Sequence, residues 1–198
     1  MNCNKLPKEF YLAPTQAVAR ELLGKIFVKR EPEGGYLTAR IVETEAYLGS
    51  NDDACHASRG MTSRNRAMFE PGGIAYVYKI YGMHFCINVV TEEAGCGSAA
   101  LIRAGEPLEG GEIMRARRGI DKLEDALKGP GNFCRALGID LRHNYADLQG
   151  EDIYICDAER IPDEQIAVTG RIGITQGKDL LYRYFIKSSP FVSGKKVI

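Results

Sequence analysis

The amino-acid sequence predicts a single α+β domain, and three observations support this fold class. Hydrophobic residues make up 44% and charged residues 26% of the 198 residues, as in ordinary globular proteins. The chain has the length of one domain and contains no internal repeat or low-complexity tract. Its β-rich segments are interrupted by one block of helical segments instead of alternating with single helices, which is typical of α+β folds. We therefore expect one compact domain that spans residues 1–198.

Strands are predicted where β-branched and aromatic residues run between turn signals. These segments are residues 25–30, 36–47, 74–80, 83–90, 98–104, 152–156 and 182–186. The first two flank a Glu-Pro-Glu-Gly-Gly turn and predict a hairpin. Residues 74–90 predict a second, longer hairpin with Tyr81 and Gly82 at its turn.

Helices are predicted where apolar residues recur between a capping residue and a glycine or proline. These segments are residues 15–23, 62–69, 109–118, 122–127 and 132–137. Thr15 and Thr62 are the expected capping residues, and Gly24 ends the first helix. The polar, turn-rich residues 48–63 predict a loop.

The charge pattern leaves the binding partner open. Acidic and basic residues number 26 each, so the formal net charge is zero. The bases concentrate in residues 59–81 and 171–198, whereas residues 140–164 are acidic. This pattern is compatible with one basic face and equally with evenly solvated charge.

The sequence excludes several classes of protein and of site. No uncharged apolar run approaches the roughly 18 residues of a membrane span, and the amino terminus lacks the apolar core of a secretory signal. Six cysteines without Cys-x-x-Cys spacing predict reduced, mostly buried thiols and no metal site. The chain has no phosphate-binding or dinucleotide-binding loop, so we expect no cofactor.

A pair of carboxylates in the second predicted strand is the first candidate for chemistry. Strand alternation places Glu43, Glu45 and Tyr47 on one face. Either this face is exposed to solvent, or it holds a carboxylate base beside an aromatic platform for a planar ligand. Arg103 interrupts an apolar strand and would need a carboxylate partner if buried, with Glu45 as the candidate.

Aromatic and polar side chains around the second hairpin are further candidates. His56 is either a solvent-facing loop residue or a pocket residue that stacks on or hydrogen-bonds a base. Tyr78 either packs across the strands or lines a site, and Asn88 needs hydrogen-bond partners if buried. Tyr81 at the hairpin tip either packs on a neighbouring loop or inserts into a partner.

Several motifs stand in one order along nearly the whole chain, from about Phe10 to Ser193. They are Arg-Ile-Val-Glu-Thr-Glu-Ala-Tyr-Leu-Gly at 40–49, Asn-Arg-Ala-Met-Phe at 65–69, Tyr-Val-Tyr-Lys-Ile-Tyr-Gly-Met at 76–83, Leu-Ile-Arg-Ala-Gly-Glu-Pro-Leu-Glu-Gly at 101–110, Gly-Pro at 129–130 and Ser-Pro-Phe-Val-Ser at 189–193. Together these motifs resemble the alkyladenine (3-methyladenine) DNA glycosylase family.

The resemblance implies a mainly antiparallel, curved β-sheet with surrounding helices and a protruding β-hairpin that inserts into DNA. It implies a monofunctional enzyme that flips alkylated or deaminated purines out of duplex DNA and hydrolyses the N-glycosidic bond, without metal or cofactor. The implied lesions are 3-methyladenine, 7-methylguanine, hypoxanthine and ethenoadenine. Glu45 matches the general base that activates a water, and Arg103 matches the arginine that helps to hold this water.

The resemblance also assigns the residues that bind DNA. Tyr47 and His56 match residues on one side of the flipped base, and Tyr78 matches the aromatic on the other side. Asn88 matches an asparagine that clashes with the 2-amino group of normal guanine. The expected contacts with the duplex are Tyr81, which fills the vacated gap, and Met83, Arg64 and Arg66. His84, Phe191 and the 91–97 loop depart from the family pattern, which bears on lesion range and affinity.

Partner and location follow from the same resemblance. We expect a monomer that binds double-stranded DNA with a damaged purine in a bacterial-type cytoplasm, associated with the nucleoid and not with a membrane. The alternative is a non-catalytic damaged-DNA binding module of the same fold, in which Glu45 is structural. A hydrolase of free nucleosides would need a second carboxylate, for which Glu43 is the nearby candidate.

Overall fold

An antiparallel β-sheet of eight strands organises the computed structural model, which describes residues 3–194. The strands are β1 (Ile26–Arg30), β2 (Tyr36–Tyr47), β3 (Ala75–Ile80), β4 (His84–Thr91), β5 (Ser98–Pro107), β6 (Ile153–Cys156), β7 (Ile166–Thr169) and β8 (Arg183–Ile186). They lie in the order β3-β4-β5-β2-β1-β6, and β8 pairs with both β2 and β7. All pairings between these strands are antiparallel.

Strand β2 is the centre of the sheet. Its first half pairs with β1 and residues 43–45 pair with β8, while β5 follows it on the other edge. The register with β5 shifts between Ile41 and Thr44. Such bulges bend a strand, and here the bend curves the sheet at the point where Glu43 enters the interior.

Helices are few and cover the sheet. They are α1 (Lys8–Tyr11), α2 (Thr15–Glu21), α3 (Gly111–Arg118) and α4 (Pro130–Leu137), with short 3₁₀ segments at Arg66–Phe69, Leu123–Asp125, Leu141–His143 and Asp163–Gln165. The helical block between β5 and β6 confirms the predicted α+β class. Helix α1 and strand β7 have no counterpart among the predicted segments, because each has only four residues and too weak a pattern.

The first predicted helix begins as expected but is capped differently. Pro14 occupies the capping position, and Thr15 is already helical. The backbone N–H and the hydroxyl of Thr15 both donate to the carboxylate of Glu92, at 3.0 and 2.7 Å. The cap is therefore supplied from a distant turn, which no local pattern reveals.

A continuous apolar core lies between the sheet and its helices. Its largest fully buried side chains include Tyr11, Phe27, Phe133 and Phe185. A second cluster lies under the 48–63 loop, where Met68 packs with Tyr76. No helix within residues 3–194 is both long and apolar enough to cross a membrane.

The expectation of reduced cysteines is wrong for one pair. Cys3 and Cys156 form a disulfide that ties the amino-terminal segment to β6. The two residues are 153 positions apart, so spacing gave no signal of their proximity. The remaining cysteines are free thiols, with Cys55, Cys86 and Cys134 buried and Cys96 exposed.

Candidate active site

A cavity of about 560 Å³ lies beside β2 and the β3–β4 hairpin. The predicted residues that line it are Tyr47, His56, Tyr78, Tyr81, Asn88 and Arg103. Residues 129–132, which include the Gly-Pro motif, also line it, as do residues 172–176, which sequence analysis did not connect with a site. Glu45 lies behind the cavity wall, where it is bonded to Tyr47 and Arg103.

Glu45 is completely buried, and hydrogen bonds fix both of its oxygens. Oε1 accepts from the backbone N–H of Ile172 at 2.8 Å. Oε2 accepts from the hydroxyl of Tyr47 at 2.8 Å and from Nη1 of Arg103 at 3.3 Å. The burial of Glu43 and Glu45 excludes the solvent-exposed interpretation of this strand face.

The environment of Glu45 strengthens it as a base. Burial raises the pKa of this carboxyl above its ordinary value, and the charge of Glu43 adds to the rise. Arg103, the N–H of Ile172 and the Tyr47 hydroxyl lower the pKa, but the net effect is a rise. Burial lowers the pKa of Arg103, but the neighbouring carboxylates outweigh this and raise it. A carboxylate of raised pKa that stays paired with an arginine can accept a proton from water.

Glu43 completes a buried charge cluster, which consists of Glu43, Glu45, Arg103 and Arg183. Oε1 of Glu43 accepts from Nε of Arg103 at 3.1 Å and from Nε of Arg183 at 2.7 Å, and Oε2 accepts from the backbone N–H of Ser193 at 2.7 Å. Two carboxylates thus balance two guanidinium groups. Within the cluster Glu43 orients Arg103, whose Nη1 then reaches Glu45.

Two arginines of the basic carboxy-terminal region are internal. Arg183 is 2% exposed, and Arg171 is 7% exposed and paired with Asp52. They therefore cannot contribute to an exposed basic face of residues 171–198. Lys195 and Lys196 lie outside the described residues.

One wall of the cavity is an aromatic cluster. The rings of His56 and Tyr78 meet edge to face with centroids 4.6 Å apart, and Nδ1 of His56 is 3.0 Å from the hydroxyl of Tyr76. Desolvation by these neighbours lowers the pKa of His56, and the charge of Arg64 lowers it further. Burial raises the pKa of Tyr76 to about 12, so its hydroxyl stays protonated.

This contact bears on the expected arrangement of the pocket. The resemblance implies that His56 and Tyr78 lie on opposite sides of a flipped base. With their rings in contact, no base can stack between these two, and both belong to the same wall. Tyr47 is held separately, by its hydroxyl on Glu45 and by the guanidinium of Arg171, whose central carbon is 4.6 Å from its ring centroid.

Asn88 lies in the strand next to this wall. Its side chain is buried, and its Nδ2 donates to the carbonyl oxygen of Tyr76 at 3.1 Å. Strand pairing sets Asn88 opposite Tyr76 on β3 and Leu101 on β5. The partner that the sequence required for this polar group is therefore the backbone of the neighbouring strand.

The tip of the β3–β4 hairpin is exposed. Tyr81 and Gly82 have positive φ angles of 50° and 72°, and the side chains of Tyr81 and Met83 are 82% and 72% exposed. This exposure excludes packing of Tyr81 on a loop within residues 3–194. Arg64 donates to the carbonyl of Lys79 in the same hairpin at 3.2 Å, and Arg66 is exposed nearby in the chain.

The segment from Arg171 to Gln176 is the main functional element that sequence analysis missed. It supplies the N–H that binds Glu45 and part of the cavity wall. A backbone donor can come from any residue except proline, so residue type gave no signal. Within residues 3–194, no three or more histidine, cysteine, aspartate or glutamate side chains cluster as metal ligands would.

Comparison with known proteins identifies the family. The profile of the family described as "Methylpurine-DNA glycosylase (MPG)" matches residues 9–190. A protein of Chlorobaculum parvum named "Putative 3-methyladenine DNA glycosylase" is 51% identical over 193 residues, which cover 98% of this chain and 92% of that protein. A protein of the same name from Methanocella arvoryzae is 49% identical, and the match covers 96% of this chain and 96% of that protein. Another of the same name, from Carboxydothermus hydrogenoformans, is 48% identical, and the match covers 96% of this chain and 99% of that protein.

These matches cover almost the whole chain, including all the residues of the buried charge cluster and the cavity wall. They confirm the resemblance carried by the sequence motifs. The chain therefore belongs to the methylpurine-DNA glycosylase family and is an enzyme of that class, a DNA glycosylase.

Proposed function

We propose that the protein flips alkylated or deaminated purines out of duplex DNA and hydrolyses their N-glycosidic bond with a water activated by Glu45. The substrates we propose are 3-methyladenine, 7-methylguanine, hypoxanthine and ethenoadenine. The observation that carries the proposal is the fully buried Glu45 carboxylate, held by Tyr47 and Arg103 directly behind an aromatic cavity.

The damaged base stacks between Tyr47 on one side and the wall of His56 and Tyr78 on the other. Alkylation at N3 or N7 makes a purine cationic, and a cation is attracted to the faces of aromatic rings. Neutral lesions gain stacking alone and need protonation of the leaving base. Asn88, at the cavity wall, discriminates against normal guanine by crowding its 2-amino group.

Glu45 acts as the general base. A carboxylate has about four lone-pair sites, and Oε1 accepts only the Ile172 N–H among the described hydrogen bonds. Oε1 can thus accept a proton from a water that attacks the anomeric carbon, while Arg103 helps to hold this water. The bond to the base breaks with its electron pair on the purine, and the products are the free base and an abasic site. Water as the nucleophile makes the enzyme monofunctional, without strand cleavage.

The duplex is engaged by the hairpin tip. Tyr81 enters the minor groove and fills the gap left by the extruded base. Its stacking offsets part of the cost of unstacking that base, which is on the order of a few kcal/mol. Met83, Arg64 and Arg66 contact the DNA beside it, and contacts with phosphates position the duplex without reading its sequence. We propose that the protein does this as a monomer in the cytoplasm, on nucleoid DNA.

The decisive experiment compares the wild type with Glu45→Gln. Duplex DNA with hypoxanthine or 3-methyladenine is incubated with each protein in the presence of EDTA, and free base is measured. We expect release by the wild type and a rate of release about 10²- to 10⁴-fold lower in the variant, with DNA binding retained. Release at equal rates would remove Glu45 from the mechanism. Binding without release by the folded wild type would exclude hypoxanthine and 3-methyladenine from the proposed substrates.

A further inference from the structure

Arg171 is a buried arginine to which the proposed mechanism gives no role. Its side chain is fully enclosed and lies outside the cavity wall. Nη1 and Nη2 each donate to one carboxylate oxygen of Asp52 at 2.6 Å, and Nη1 also donates to the carbonyl of Ala46 at 2.9 Å. A bidentate pair of this kind fixes the plane of the guanidinium group as well as its position.

This plane supports Tyr47. The central guanidinium carbon is 4.6 Å from the centroid of the Tyr47 ring and 5.3 Å from that of Tyr182. Tyr47 lines the cavity and Arg171 does not, so the guanidinium contacts the Tyr47 ring from outside the cavity lining. The ring is therefore held by the guanidinium of Arg171 and, at its hydroxyl, by Glu45.

The anchored side chain also fixes the next peptide group. The N–H of Ile172, one residue along, donates to Oε1 of Glu45 at 2.8 Å. Nε of Arg171 is buried without a hydrogen-bond partner in residues 3–194. An unpaired buried donor destabilises the folded state, and the other contacts of the same side chain must outweigh this cost.

Asp52 connects the same anchor to the loop that carries His56. Its carboxylate also accepts from the backbone N–H of Leu48 at 3.1 Å and of Ala54 at 3.2 Å. One buried ion pair is thus connected with three parts of the site. Arg171 contacts the ring of Tyr47 and precedes the peptide group that binds Glu45, and Asp52 binds the loop before His56.

We propose that Arg171, anchored by Asp52, is a positioning residue of the glycosylase reaction that sets both the ring of Tyr47 and the orientation of the Glu45 carboxylate. It acts through these groups and contacts neither the base nor the water. The inference rests on the proposed function, in which Tyr47 stacks on the base and Glu45 activates the water.

The test removes the ion pair as a unit. The double variant Arg171→Met with Asp52→Asn leaves no buried charge unpaired, and such replacements are often neutral for stability. The substrate is duplex DNA with 7-methylguanine, whose cationic base leaves without an acid, so the rise of the single-turnover rate with pH reports ionisation of Glu45. We expect a rate about 10- to 100-fold lower, because misplacement by about 1 Å can have such an effect.

The pH profile separates positioning from general damage. The groups that face Glu45 are Glu43 and Tyr47 on β2, Tyr78 on β3, Cys86 on β4, Arg103 on β5, Arg183 on β8 and Arg171. The Ile172 N–H lowers the pKa of Glu45, so its displacement raises this pKa. The acidic limb of the profile should therefore move to higher pH in the double variant.

Glu43→Gln is the control for the direction of the shift. It removes one buried charge instead of an ion pair, and because Glu43 raises the pKa of Glu45, its loss should move the acidic limb to lower pH. Opposite shifts of the two variants would support the positioning role. An unmoved limb in the double variant, or a shift in the same direction as Glu43→Gln, would overturn it whatever the rate.

A second variant covers the case in which the double variant does not fold. Arg171→Lys keeps the charge but cannot form the bidentate pair, and a slower rate with a cooperative unfolding transition supports the proposal. An unchanged rate, or failure of this variant to fold as well, overturns it. Failure of the proposed function itself is recognised separately, since Glu45→Gln would then release base at the wild-type rate.

Discussion

The buried charge cluster and the tip of the β3–β4 hairpin are constructed in opposite ways. Glu45 is 0% exposed, and three hydrogen-bond donors fix it, whereas Tyr81 is 82% exposed on a turn with positive φ angles. Bond cleavage benefits from groups that are fixed before the substrate arrives. A residue that fills a gap in DNA must instead keep its apolar surface free until it binds. Substitutions in the first region should therefore affect folding and rate, and those in the second should affect binding.

The largest effect is expected for Arg103→Leu. The substitution leaves Glu45 without its ion pair and Glu43 with Arg183 alone, and breaking a buried pair in this way costs about 3–5 kcal/mol of unfolding free energy. Urea denaturation measures this loss. The control is Arg66→Ala on the exposed surface, where we expect a change within about 0.5 kcal/mol. Equal small losses in both variants would mean that the cluster does not support the fold.

A smaller effect, on DNA binding and not on stability, is expected for Tyr81→Ser. Because stacking on a base contributes about 1–3 kcal/mol, the dissociation constant for lesion-containing duplex should rise about 5- to 150-fold, with the unfolding free energy unchanged. Fluorescence anisotropy and thermal denaturation measure the two quantities.

Tyr76→Ser is the buried counterpart of Tyr81→Ser. Tyr76 is 1% exposed, and loss of a buried aromatic side chain costs about 3–5 kcal/mol of stability. If Tyr81→Ser lowers stability as much as Tyr76→Ser does, Tyr81 is a packing residue and the contrast between the two regions is lost.

The smallest effect is expected for Arg66→Gln. Loss of one phosphate contact should weaken binding to damaged and undamaged duplex equally and reduce the slope of log affinity against log salt by about 1. Titrations at several salt concentrations measure this slope. A loss confined to the damaged duplex would instead place Arg66 at the lesion.

The same contrast explains how much could be predicted from the sequence. Alternation along β2 correctly placed Glu43, Glu45 and Tyr47 on one face, because the period of a strand is local. It did not reveal that this face is buried. The groups that cover it come from far along the chain, as Ile172 and Ser193 show, lying 127 and 150 positions from their carboxylate partners.

Other outcomes have the same cause. The turn at Tyr81 and Gly82 was predicted because its residues encode it. The Glu92 carboxylate that caps α2 and the Cys3–Cys156 disulfide depend on tertiary proximity, which no local pattern contains. Arg171 was grouped with exposed bases by composition, whereas its partner Asp52 lies 119 positions away.

Strand β2 is hydrogen-bonded along both edges, by β5 on one side and by β1 and β8 on the other. Amide hydrogens in such a strand exchange with solvent only when the whole sheet opens, whereas turns and loop tips open locally. The carboxylate of Glu45, for which we propose the role of general base, thus lies on a strand that opens only with the sheet as a whole. In the proposed reaction, adaptation to a distorted duplex is left to the hairpin tip and the 48–63 loop, and the Glu45 carboxylate keeps its place for as long as the protein stays folded.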